Sequence, residues 1–204
     1  SAASDVYKRQ LILWLWFNMK KLVVGISGAS GIPLAVRLLK ELKKQPDVET
    51  HLVMTRGAEM TLHQETPYSL KEICDMADVV YDNHNLGASI ASGTFQNDGM
   101  IVIPCSMKTI AGIAHGYSDN LLLRACDVMI KEKRKLILVA RESPLSTIHL
   151  DNLSYLSKLS GVVIMPPMLT YYQLPQSIDD LEIHIVGKIL SQFGIELEDF
   201  KRWK

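Results

Sequence analysis

Short β-branched apolar runs alternate with helix-period segments along most of this chain, and that alternation points to a parallel sheet covered on both faces. The runs at 21–26, 50–55, 79–82, 99–104, 136–140 and 162–165 read as strands. Helical patterns occupy 33–44, 58–63, 69–75, 109–115, 120–133, 151–158 and 178–193. The expected fold class is therefore α/β, a three-layer α/β/α sandwich with a Rossmann-like or flavodoxin-like open parallel sheet. Ligands of such sheets gather outside the carboxyl ends of the strands, so the residues just after each strand are where chemistry should be sought.

The first strand runs into G-I-S-G-A-S-G at 25–31, and Pro33 opens the next helix. Amides of such a loop, at the positive end of a helix, suit an anionic ligand, phosphate above all. A tight strand-to-helix turn accounts for the same glycines. The spacing G-x-x-G-x-x-G departs from the dinucleotide fingerprint, and no acidic residue ends the second strand to hold a ribose.

Other strand ends repeat the theme. The second gives Thr55 and Arg56, with Glu65 a short helix later. The fourth gives Cys105, Ser106, Met107, Lys108 and Thr109, the fifth Arg141 and Glu142, and the sixth Pro166-Pro167 ahead of Tyr171 and Tyr172. Hydroxyls and amides at helix starts hold phosphate, and an arginine fork matches its oxygens. Ser106 and Thr109 suit helix capping as well. Cys105 has no histidine near it in sequence and reads as a small core residue. On the helical pattern 120–133, Arg124, Asp127 and Lys131 share one face, with Asp127 placed to pair with Lys131 at i+4. A solvated ion-pair stripe and a second cationic site explain that face equally well.

Bulk composition narrows the partners. The 204 residues suffice for one domain with a full core, and 22 basic residues balance 22 acidic ones. Nucleic acid and anionic membrane gain no electrostatic case from that balance. Three cysteines with no C-x-x-C pair fit a reducing compartment, the cytoplasm by default, and argue against a disulfide scaffold or zinc site. None of the six histidines has the i, i+4 metal spacing, so no metal is expected; His149 reads as a helix-entry residue. The hydrophobic fraction of 48% is compatible with surface buried between subunits.

Residues 1–18 differ in character from the rest of the chain. The apolar, aromatic stretch 11–17 is too short to span a bilayer, and D-V-Y-K-R-Q at 5–10 resembles the in-frame translation of a sequencing-library transposon end. The expectation is a non-native or disordered extension over 1–18, ahead of a single domain over 19–204; an N-terminal membrane-associated helix is the alternative.

Taken together, G-I-S-G-A-S-G, A-S-G-T-F at 91–95, D-G-M-I-V-I-P-C-S-M-K-T at 98–109, D-N-L-L-L-R-A-C-D-V-M-I-K-E-K-R at 119–134 and L-V-A-R-E-S-P-L at 138–145 resemble the UbiX-type flavin prenyltransferases. H-L-D-N-L at 149–153, M-P-P at 165–167 and I-L-S-Q-F-G-I at 189–195 extend the likeness from about Met19 to the carboxyl end. E-T-H-L-V-M-T and the closing K-R-W are similar to the branch of that family associated with hydroxyarylic acid decarboxylases.

The resemblance implies an enzyme that joins a dimethylallyl group from dimethylallyl phosphate to N5 and C6 of reduced FMN, without metal. The prenylated FMN then serves a UbiD-type decarboxylase. The family typically forms homododecamers with the site at subunit contacts. Position by position, Gly28, Ala29 and Ser30 match the first flavin loop, and Thr55 stands where a serine usually binds FMN. Ser106, Met107, Lys108, Thr109 and Arg141 match the remaining flavin contacts, and Arg124 is grouped with them. Lys131, Arg141, Tyr172 and Lys188 correspond to the prenyl-phosphate site, while Ser30, Glu65 and Glu142 match residues implicated in the chemistry.

Two departures accompany the match. Lys188 stands where arginine is common, which keeps the charge and loses the bidentate fork. The usual P-A-F-Y is replaced by M-L-T-Y-Y at 168–172, which leaves Tyr171 or Tyr172 as the phosphate ligand. Two other readings compete. FMN-dependent decarboxylases of the cysteine-peptide or phosphopantothenoylcysteine kind carry an early catalytic histidine and P-x-M-N, where this chain offers P-C-S-M-K-T. A passive flavin-carrier subunit is the non-enzymatic alternative.

Overall fold

In the computed structural model, which describes residues 19–203, six parallel strands form one sheet. They are β1 (Lys20–Ile26), β2 (Val48–Met54), β3 (Val79–Tyr81), β4 (Gly99–Cys105), β5 (Leu136–Ala140) and β6 (Val162–Ile164), in the order β3-β2-β1-β4-β5-β6. The helices are α1 (Ile32–Lys43), α2 (Arg56–Glu65), α3 (Leu70–Cys74), α4 (Met107–Ala114), α5 (Leu121–Lys131), α6 (Thr147–Ser157) and α7 (Ile178–Ser191). Strand order reverses between β1 and β4, and the loops leaving those two strands flank the crevice that such a reversal opens. The expected extension over 1–18 lies outside the described residues.

Side-chain alternation along the strands builds the two outer layers. Leu22, Val24 and Ile26 of β1 face a core shared with Ala35, Leu38 and Leu39 of α1, Leu62 of α2 and Val186, Ile189 and Leu190 of α7. Val23 points the other way, into a core shared with Ile110 of α4, Leu122, Ala125 and Val128 of α5 and Leu156 of α6. Strands buried on both faces must be apolar throughout, which is why these runs read as continuous hydrophobic blocks.

Several helices begin earlier than periodicity alone suggests, because caps rather than apolar residues set their starts. α6 begins at Thr147 rather than at 151, since Ser146 Oγ accepts the His149 N–H (3.2 Å) while the Ser146 N–H donates to His149 Nδ1 (3.3 Å). His149 is thus a helix-entry residue. α2 and α4 likewise start at Arg56 and Met107, behind the caps Thr55 and Ser106.

Candidate functional site

The loops at the carboxyl ends of four strands are tied together by backbone. Ser27, 1% exposed, donates its N–H (3.2 Å) and its hydroxyl (3.0 Å) to the Pro104 carbonyl, and its Oγ accepts the Ser106 N–H at 2.8 Å. The Thr55 N–H donates to the Ile26 carbonyl (3.0 Å), and the Arg141 N–H donates to the Cys105 carbonyl (3.0 Å). Gly28 lies backbone to backbone on Gly57: a Cβ at position 28 would sit 2.9 Å from the Gly57 main chain, so only glycine permits this approach. Gly28, Ala29, Ser30, Thr55, Ser106 and Arg141 therefore border one crevice at the strand-order reversal.

Each helix that opens onto the crevice from β2 or β4 carries a hydroxyl at its start. Thr55 Oγ1 accepts the Ala58 N–H at 3.2 Å, and Ser106 Oγ accepts the Thr109 N–H at 3.3 Å and lies 3.1 Å from Thr109 Oγ1. Met107 and Thr109 are buried, while Lys108 is exposed. Cys105 is fully buried and burial pushes its thiol well above the ordinary range, so it is an inert core residue, as its lack of a nearby histidine suggests.

The start of α1 is handled differently. Gly31 has φ 117° and offers no capping side chain, and the two amides at this end donate instead to Glu65 Oε2, from Gly31 and from Ile32, each at 2.9 Å. Burial by itself would raise the Glu65 carboxyl. The Ser30 hydroxyl, the two amides and the Arg141 charge outweigh it and hold Glu65 below the usual carboxylate range. Glu65 is therefore an ionised resident at the positive end of α1, beside Ser30. A bound phosphate has the starts of α2 and α4 and the Arg141 fork available in the same crevice.

Next to this crevice, beyond β5, the end of β6 opens into a cavity of about 290 Å³ lined by Ile164, Met165, Pro166, Met168, His184 and Lys188, among others. The Met165 N–H donates to the Leu138 carbonyl of β5 (2.9 Å), which places the cavity one strand away from Arg141. Its walls are apolar and Lys188 supplies a cation. Of the two neighbouring tyrosines, Tyr172 is the one that reaches a wall residue, with Oη 3.0 Å from His184 Nε2; Tyr171 is 65% exposed.

Arg124 and Lys131 are placed elsewhere. Arg124 Nη1 pairs with Asp127 Oδ2 (2.6 Å) and its Nε donates to the Ala91 carbonyl (3.2 Å). The expected Asp127–Lys131 pair is not formed: the arginine fork satisfies Asp127 and Ala91 together, and Lys131 turns to Glu132. Because α5 runs antiparallel to the strands, Lys131 at its end lies at the amino-terminal edge of the sheet, beside Gly93. Glu142 is exposed at the opposite, carboxyl-terminal edge, where it accepts the Ser143 N–H at 2.9 Å. Within one protomer Lys131 and Arg141 thus stand at opposite ends of the molecule. Sequence reasoning missed three residues here: Gly57; the bridging role of Ser27, whose partners lie 77 and 79 residues away; and His184, which carries no local motif.

Among the described residues no group of three or more His, Cys, Asp or Glu side chains is placed to hold a metal ion, and no helix is long and apolar enough to cross a membrane. A family described as "Flavoprotein" matches residues 17–189. A probable UbiX-like flavin prenyltransferase of Sedimentibacter hydroxybenzoicus is 54% identical over 184 residues, covering 90% of this chain and 97% of that protein. Among solved structures, the dodecameric FMN-dependent UbiX-like decarboxylase of Escherichia coli O157:H7 is 52% identical with a TM-score of 0.88, covering 90% of this chain and 99% of the other. AnUbiX in complex with FMN and dimethylallyl pyrophosphate is 44% identical, also with a TM-score of 0.88, covering 91% and 98% of the two chains. With 54% identity over 184 aligned residues to one such relative and a TM-score of 0.88 to two solved structures, the chain belongs to the UbiX-like family of flavin prenyltransferases.

Proposed function

We propose that this protein transfers the dimethylallyl group of dimethylallyl phosphate to N5 and C6 of reduced FMN, and that a UbiD-type decarboxylase receives the prenylated flavin. The observation that carries the reading is the placement of an apolar cavity with Lys188 at the end of β6, one strand away from the helix starts and Arg141 that gather where the strand order reverses. The Gly28–Gly57 contact supports a flavin fit, because it holds the first loop close against the start of α2.

When bound, reduced FMN supplies the nucleophilic ring positions. The residues do the rest. Gly28, Ala29, Ser30, Thr55 and 106–109 hold the flavin, and Arg141 spans both pockets. Lys188 and Tyr172 take the donor's phosphate and stabilise the charge that develops as it leaves. The apolar wall keeps water from the allylic carbon. Glu65, ionised and beside Ser30, suits a proton acceptor working through the Ser30 hydroxyl. Glu142 orients the departing phosphate, which can itself take a proton.

Lys131 and Arg124 enter this scheme from a neighbouring subunit. The separation of Lys131 from Arg141 in one protomer supports that assignment, as does the dodecameric assembly of the Escherichia coli O157:H7 relative. A homododecamer with sites at subunit contacts, built from a single FMN-binding domain over 19–204, is the assembly this implies; the free cysteines fit a cytoplasmic setting.

Anaerobic incubation with reduced FMN and dimethylallyl phosphate, followed by mass spectrometry of the flavin, tests the activity. A flavin heavier by one prenyl unit is expected, and an unmodified flavin would leave a passive carrier. Mixing K131A and R141A subunits tests the shared site: random reassembly should restore about a quarter of wild-type activity, since one contact in four then joins two intact halves. No recovery on mixing refutes it.

A further inference from the structure

Tyr172 stands on a loop behind a wall residue of the β6 cavity, so something outside its own backbone must fix the direction of its hydroxyl. The side chain that does so is His184, 9% exposed and one turn ahead of Lys188 on α7. His184 Nε2 is 3.0 Å from Tyr172 Oη, and the two rings meet edge to face with centroids 5.4 Å apart. The imidazole is backed by Phe200, 5.3 Å between centroids. Phe200 in turn occupies the space that a side chain at position 187 would need, since a Cβ on Gly187 would lie 2.5 Å from its ring. Gly187, Phe200 and His184 therefore form a rigid stack behind the tyrosine.

The direction of the Tyr172–His184 hydrogen bond matters for chemistry. A phenol carries one proton. If that proton were given to the imidazole, Tyr172 would present only lone pairs to an anion. We propose that His184 is a positioning residue: as the Nε2–H tautomer it donates to Tyr172 Oη, leaving the phenol proton free to donate to the phosphate of the allylic donor. The inference rests on the reading of Tyr172 as a phosphate ligand. Burial, and then the Lys188 charge, hold His184 below the usual histidine value, so at neutral pH the ring is neutral and adds no second cation to the pocket.

Calorimetric titration of dimethylallyl monophosphate into protein loaded with oxidised FMN, where no turnover occurs, reads the contact directly, and the anaerobic assay gives KM and kcat. His184→Leu should weaken donor binding and raise KM by about five-fold, the loss of one hydrogen bond, with kcat changed less than about two-fold. His184→Gln, which keeps an amide donor near the Nε2 position, should recover most of the affinity. In a Tyr172→Phe background His184→Leu should add nothing.

Unchanged binding in His184→Leu, alongside weakened binding in Tyr172→Phe, overturns the role of His184 and spares that of Tyr172. Wild-type binding in Tyr172→Phe overturns the reading of Tyr172 itself. An undiminished His184→Leu effect in the Tyr172→Phe background marks mere packing and also overturns the proposal. His184→Asn, too short to reach Oη, serves the same cycle if the leucine variant does not fold.

Discussion

Glu65 caps α1 as well as carrying the proton-accepting role proposed for it, and the two contributions can be separated. Its Oε2 takes the Gly31 and Ile32 amides, which no local side chain caps. Glu65→Gln keeps an oxygen for those amides but removes the charge facing the α1 dipole, a loss of about 1 kcal/mol. Glu65→Ala removes both bonds and should cost about 2 kcal/mol. For a chain of this size those losses correspond to falls in Tm of about 2–4 °C and 4–8 °C.

The pH dependence has a definite sign. The folded carboxyl lies below its ordinary value of 4.5, so its stabilisation is complete above 4.5 and is lost as the pH falls through the folded value. Thermal melts of flavin-free protein, followed by circular dichroism at fixed protein concentration, should show the wild-type and Glu65→Gln curves separated at pH 7 and converging below pH 4.5. Coincident melts at pH 7, or a gap that persists in acid, refute the capping role. Turnover of Glu65→Gln should fall far more than its stability, with FMN affinity retained.

Ser27→Ala strands the Ser106 amide in a partly buried setting, and urea unfolding should register a loss of about 1 kcal/mol together with weaker FMN binding in a fluorescence titration. Gly28→Ala forces the first loop off Gly57; about 1–3 kcal/mol of stability and most FMN affinity should go with it, whereas an alanine variant with wild-type flavin binding would show the loop to be slack. Lys188→Arg adds a planar fork beside the β6 cavity and should lower the donor KM by about three- to five-fold, while Lys188→Ala should raise it by more; steady-state kinetics distinguish the two.

The layered fold was legible because every central strand is buried on both faces, and a run such as Leu22 to Ile26 has few other uses in a chain that alternates with helical patterns. Thr55, Ser106 and Thr109 were legible because helix caps sit at predictable places after strands. Contacts that depend on long-range geometry were not. Nothing near Ser27 announces Pro104 or Ser106, and Asp127 had two helix-spaced cations to choose from, of which the arginine also found the Ala91 carbonyl. The distance between Lys131 and Arg141 comes from the direction of α5, which periodicity does not report. The choice of Tyr172 over Tyr171 rested on a histidine twelve positions later that belongs to no motif.

A carboxylate seated at the mouth of α1 closes that one helix start to other anions by rivalry. An anion drawn there meets an occupant tethered to the chain and therefore present at high local concentration. Whatever negative group enters is steered away from α1, toward the openings of α2 and α4 and the neighbouring guanidinium, so the crevice has a built-in polarity before any guest is bound.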